Sequence, residues 1–181
     1  MNPTVVLGVA LGLPLLGALL VALTGKRPNV REAVTGVVGV ATLVAVGLLY
    51  PAVVSGRLPE WELVRATLPG VPLFFRVEPL GLLYALVAAA LWPITSVYAA
   101  GYLREHHEQH QTRFFVCFAL SIFAALGIAF AGNLATLFLF YELLTLATFP
   151  LVTHHQTPEA QRAGRIYLGI LMGTSVCFLL L

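Results

Sequence analysis

One carboxylate in the middle of a long apolar run carries the chemistry this sequence offers. The run is Gly132 to His155, GNLATLFLFYELLTLATFPLVTHH. With about 20 apolar residues it has the length of a bilayer-spanning helix, and Glu142 stands roughly ten positions from either end, near the midplane. A charged carboxylate at that depth costs about 2.5–3.5 kcal/mol on insertion scales, so such a group faces a partner, a water-filled cavity or an ion path. Whether such a group is charged depends on its surroundings: burial favours the neutral acid and an approaching cation favours the carboxylate. Two supporting groups lie in reach of the sequence argument. Thr145 is one turn away, and Arg165 of the next helix is expected about 9 Å shallower, where a long side chain snorkels to the interface.

A second set of titratable residues sits at helix ends. Glu105, His106, His107, Glu108 and His110 crowd the segment Tyr102–Thr112, and His154 and His155 end the Glu142 run. Clustered His and Glu invite a metal reading, but no cysteine accompanies them and no tight zinc spacing appears, so no metal site is expected. The loop is read as solvated, with proton-collecting histidines at a channel mouth as the functional alternative. No nucleotide loop, haem pair, iron–sulfur spacing or nucleophile motif occurs, so the sequence offers no catalytic residue and calls for no cofactor. Cys117 and Cys177 are expected roughly 6 Å and 24 Å deep in their helices, too far apart in depth for a disulfide, and are read as packing residues.

The elements that must position Glu142 follow from composition. With 59% hydrophobic and 10% charged residues and a mean hydropathy of +0.92, the chain is read as all-α, a polytopic transmembrane bundle with short loops. The net charge of +2 comes from basic residues spread over the loops, which argues against nucleic-acid binding. Six helices are expected. They run over about 4–24, 33–55, 77–101 (bent at Pro93), 113–131, the Glu142 run, and from about 160 to the last residue. The first is read as a retained membrane span and not a signal peptide, because its charges follow the apolar segment. Residues Gly56–Arg76 are polar and proline-rich, with Trp61–Thr67 and Val71–Arg76 around Pro69-Gly70 predicting a small surface hairpin. Gly8 with Gly12, and Gly169 with Gly173, are read as close-packing faces. Seven basic residues flank the loops after helices one, three and five, against three on the other side. The positive-inside rule then puts the N-terminus outside and makes the hairpin extracytoplasmic.

At this point particular stretches match something known. VEPLGLLYALVAAALWPITSVYAAGYL (77–103), TRFFVCFAL (112–120), AGNLATLFLFYELLTLATFPLVTH (131–154) and EAQRAGRIYLG (159–169) resemble the proton-conducting membrane subunits shared by complex I, membrane-bound hydrogenases and Mrp-type sodium/proton antiporters. FYELLTLATFPLVTH looks most like the Mrp D-type subunit. The resemblance implies a fold of about fourteen helices with two inverted repeats. It also implies that Glu142 is the fifth-helix glutamate, which the family pairs with a lysine on a broken seventh helix to relay protons. This chain stops within or at the end of helix six and is expected to be an N-terminal portion. Residues 1–111 would be the leading helices and 112–181 the start of the first repeat. The expected function is a proton-translocating subunit of a multisubunit pump or respiratory complex in a bacterial or archaeal inner membrane, with sodium as a second candidate cargo. Its partners would be other membrane subunits and the lipid bilayer. The alternative is a non-transporting truncated paralogue or assembly subunit in which Glu142 only pairs with a neighbouring helix.

Overall fold

The computed structural model describes residues 2–68, 71–154 and 157–179. Seven helices and one hairpin follow in the order α1 (Pro3–Leu23), α2 (Pro28–Gly47), α3 (Tyr50–Val54), β1 (Glu60–Leu68), β2 (Val71–Arg76), α4 (Pro79–Glu105), α5 (Gln111–Ala129), α6 (Leu134–Val152) and α7 (Pro158–Leu179). Among the described residues five spans are long and apolar enough to cross a membrane: α1, α2 with α3, α4, α5 and α6. The sixth expected helix is present as α7, whose first turns carry Glu159, Arg162 and Arg165 and lower its mean hydropathy.

The helix starts obey capping chemistry. The Asn2 side chain accepts from the Thr4 amide at 3.1 Å, Asn133 accepts from the Thr136 amide at 2.7 Å and Thr157 accepts from the Ala160 amide at 3.1 Å, each satisfying an otherwise orphaned first-turn donor. Proline does the same work at Pro28, where a fixed φ and a missing N–H suit the first helical position. The second helix therefore starts five residues before the expected Ala33. Pro51 then interrupts it, since a proline cannot donate to the carbonyl four residues back, and the span is divided into α2 and α3. The fourth helix is unbroken through Pro93, which packs against Gly39 of α2, where an added Cβ would lie 3.4 Å from the ring.

That earlier start changes the role of one charge. Arg31, expected in a loop, is 3% exposed. Its guanidinium donates to Gln111 Oε1 at 2.8 Å and to Thr112 Oγ1 at 3.2 Å, and lies 5.2 Å from the centroid of Phe115. Glu32 joins Arg31 at 3.3 Å and Arg104 at 2.7 Å. The starts of α2 and α5 and the end of α4 are thus held by one polar knot, buried at Arg31 and exposed at Arg104, and the donors of the buried guanidinium are largely matched, as burial of a charge requires.

At the other end, β1 and β2 pair antiparallel with Glu60 opposite Arg76 and Trp61 opposite Phe75. The expected Pro69-Gly70 turn lies outside the described residues. The hairpin is more than a surface loop, because Phe75 is 1% exposed, stacks on Trp61 at 6.0 Å and meets Phe140 of α6 edge-on at 5.4 Å. Its second strand also bonds to the α5–α6 connection. The Arg76 amide donates to the Phe130 carbonyl at 2.8 Å and the Gly132 amide to the Phe74 carbonyl at 2.9 Å. Asn133 Nδ2 donates to the Pro72 carbonyl at 2.9 Å, and the Phe74 amide to Thr136 Oγ1 at 3.1 Å.

Close helix packing falls at glycines other than those expected. Cβ atoms added at Gly12, Gly169 or Gly173 would meet nothing within 4 Å, and one at Gly8 would meet the Trp61 indole of the hairpin at 3.7 Å. A Cβ at Gly127 would overlap the Phe140 ring, and one at Gly81 the Ala129 carbonyl. The spacing of two glycines marks a possible close face; only the neighbour's register says whether a helix comes that near.

Candidate functional site

Glu142 lies inside α6, eight residues after Leu134 and ten before Val152, which is about 12 Å and 15 Å along the axis. Its depth follows from the caps: Asn133 fixes the start of α6, and the link of 130–133 returns the chain antiparallel to α5. Phe140, two residues earlier, is wedged between Phe75 and Phe123 at ring distances of 5.4 Å each. The helix that carries the carboxylate is therefore fixed at its start by hydrogen bonds and near its middle by aromatic packing.

The carboxylate has one hydrogen-bond partner among the described residues. Ser175 of α7 donates its hydroxyl to Glu142 Oε1. The other oxygen, Oε2, is buried with no partner among the described residues. A buried acceptor left unmatched costs on the order of 1–3 kcal/mol, more when charged, so this oxygen is where a further donor would gain most. Ser175 itself is 5% exposed.

The supporting residues expected from the sequence are placed differently. Thr145 is buried, but its hydroxyl donates to the Tyr141 carbonyl at 3.0 Å and not to Glu142. The reason is general for helices: a threonine hydroxyl finds the carbonyl one turn back without leaving its rotamer. Arg165 is ten residues before Ser175 on α7, about 15 Å along that helix. Its Nε donates to the Gln161 carbonyl at 3.4 Å, in a crevice shared with Phe149 and Thr153. The structure does not bring it to Glu142. His154 lies beyond the end of α6, with its Nε2 3.8 Å from Glu108 Oε2, its ring 6.0 Å from Phe114, and its carbonyl accepting from Arg113 at 2.9 Å. His155 lies outside the described residues.

The histidine segment forms a turn between α4 and α5. His106 stacks on Tyr102 at 4.2 Å, and His107 and His110 take left-handed backbone conformations with φ of 50° and 56°. Among the described residues no three His, Cys, Asp or Glu side chains converge as a metal site would need. Cys117 is buried and Cys177 exposed, and the structure leaves both unbridged.

Ser175 is the site residue that sequence reasoning missed. It was visible only as one of two adjacent hydroxyl residues, Thr174-Ser175, which are common in membrane helices for packing reasons alone. What singles it out is its register against α6.

No family model matches the chain. Among curated proteins it is 29% identical over 116 residues to a Staphylococcus saprophyticus protein assigned as antiporter subunit mnhA2, a match covering 64% of this chain and 14% of that one. It is 24% identical over 115 residues to NAD(P)H-quinone oxidoreductase subunit 5 of Anthoceros angustus, covering 62% of this chain and 15% of the relative. The chain thus spans about a seventh of the length of these relatives. Among solved structures, a chain of the membrane-bound sulfane sulfur reductase, an archaeal respiratory membrane complex, superposes with a TM-score of 0.78 at 22% identity, over 95% of this chain and 26% of the other. Over the residues of this chain the common fold is an all-α bundle of membrane-length helices, shared with a chain of a respiratory membrane complex.

Proposed function

We propose, from this kinship with the membrane subunits of cation antiporters and quinone oxidoreductases, that the chain is part of a proton-translocating subunit in which Glu142 is the mid-membrane relay. The chain is a multi-pass membrane protein, and its relatives are transport and respiratory subunits. The observation that carries the proposal is the Glu142 carboxylate: midway along a membrane span, held on Oε1 by Ser175, with a buried Oε2 that has no donor among the described residues. In this reading a proton binds at Oε2 while the Ser175 bond keeps the carboxyl in one orientation. A cation supplied from outside the described residues, such as the lysine of the resembling family, would draw the proton off by favouring the carboxylate. Protons are the proposed cargo, with sodium counter-transport as the second, and neighbouring membrane subunits the proposed partners. Residues 1–111 would form the leading helices and 112–181 open the first antiporter-like repeat. The excess of basic residues beside the 24–28, 106–110 and 153–157 connections orients those ends to the cytoplasm of a bacterial or archaeal cell.

The test is Glu142→Gln in the protein as purified from its native membrane and reconstituted into vesicles with a pH-sensitive dye. Loss of proton movement with intact assembly is the expected result. Unchanged movement would overturn the relay, and loss of assembly would favour the reading in which Glu142 only pairs subunits.

A further inference from the structure

We propose that the cleft at the start of α2 binds the head group of an anionic phospholipid, with an acyl chain in the adjoining groove between α1 and α2. The cleft, of about 690 Å³, lies between the start of α2 and the end of α4 and is lined by Arg27, Asn29, Arg104, His107, Glu108 and Gln111. The groove, of about 410 Å³, is almost wholly apolar, with Leu20 of α1 facing Val34 and Val37 of α2. Asn29 and Val30 line both, so a polar bowl opens directly into an apolar channel on the outer face of a membrane span, where Val37 is 69% exposed.

Charge decides what fits the bowl. Its lining carries two arginines, Arg27 and Arg104, and one glutamate, Glu108, and behind it stands the pair Arg31–Glu32. Glu32 is divided between Arg31 and Arg104, and Glu108 faces His154. Arg27 is exposed and makes no ion pair among the described residues. Among its arginines and carboxylates the lining holds one cation in excess, two against one, and the Arg31–Glu32 pair behind it adds no net charge, which matches the single negative charge of a phosphodiester. Guanidinium forks suit phosphate oxygens, and the cleft lies at the ends of two membrane spans, the level at which head groups lie. A free phosphate would fill the bowl alone. The apolar groove leading from it, too greasy for any ion, is what selects a lipid.

The experiment uses the full chain purified from its native membrane with the polypeptides that accompany it, placed in nanodiscs of phosphatidylglycerol or of phosphatidylcholine with the same acyl chains. Lipid retained after detergent extraction is counted by native mass spectrometry. Phosphatidylglycerol should be retained in preference to phosphatidylcholine, and Arg27→Gln should lower its retention about fivefold, the factor expected of one basic side chain near an anionic lipid. Because the Arg27 side chain makes no cap bond, that variant keeps the fold. Arg57→Gln, beyond the other end of the same span, should leave retention unchanged, and inorganic phosphate should not displace the lipid. Equal retention of the two lipids, or no effect of Arg27→Gln, would overturn the site. Displacement by inorganic phosphate would show an ion site without a lipid tail and overturn it equally.

Discussion

The hydroxyl of Ser175 donates to the carboxylate of Glu142 across 33 positions of sequence, joining α7 to the middle of α6. If this bond orients the carboxyl for proton transfer, Ser175→Ala should slow proton movement without abolishing it. Loss of one hydrogen bond, worth about 1 kcal/mol, corresponds to roughly a fivefold fall in rate. Ser175→Thr, which keeps the hydroxyl, should restore most of it. Dye-monitored proton uptake in vesicles, compared with Glu142→Gln, separates a positioning role from an indispensable one. Equal loss in the Thr variant would mean that the volume at position 175 matters and the hydroxyl does not.

The buried arginine gives a stability prediction. Arg31→Met removes the donors to Gln111 and Thr112 and leaves Glu32 with Arg104 alone. The cost is expected at about 3 kcal/mol, the range for breaking a buried charged cluster on one side. Arg31→Lys should lie between Met and the parent, since an ammonium keeps the charge but cannot span both acceptors in the plane of a fork. Thermal unfolding in mild detergent measures both.

Glycine packing supplies a paired test. Gly127→Val places atoms where the Phe140 ring stands, and overpacking of this kind costs about 1–3 kcal/mol. Gly12→Ala adds a methyl where nothing lies within 4 Å and should be neutral or slightly stabilising, by up to about 1 kcal/mol from helix propensity. The difference between the two unfolding midpoints is the measurement.

The hairpin contrast is between packing and charge. Phe75→Ala empties a fully buried ring position shared by Trp61 and Phe140, and about 3 kcal/mol is expected to be lost. Arg76→Gln breaks the pair with Glu60, whose side chains are 39% and 48% exposed, and should change stability by less than about 1 kcal/mol. Quenching of Trp61 fluorescence by a water-soluble quencher should rise in the first variant and stay constant in the second.

Much of this was legible in the residues. Apolar length alone located the helices, and the extended pieces on either side of Pro69-Gly70 marked the two strands of the hairpin. What was hidden depended on register between distant elements. Arg31 reads as a loop charge until Pro28 is recognised as a helix start and Gln111 and Thr112 are brought beside it. Ser175 is hidden for a similar reason. A symmetric turn centred on 155 would set position 168 opposite Glu142, since twice 155 less 142 is 168, whereas the contact falls at 175, seven residues or about two turns further on. Thr145 was chosen by proximity along the chain, whereas its hydroxyl is taken up by the Tyr141 carbonyl of its own helix.

The docking of β2 onto the α5–α6 connection makes the hairpin a handle. Arg76, Phe74 and Pro72 grip Phe130, Gly132, Asn133 and Thr136 through main-chain and side-chain bonds, and Phe75 reaches Phe140, two residues from Glu142. A tug on the strands from the aqueous side is delivered to the carboxylate-bearing helix through protein alone, with no lipid in the load path. An antibody or neighbouring polypeptide that grasped β1 and β2 would thus have leverage over α6 without ever entering the bilayer.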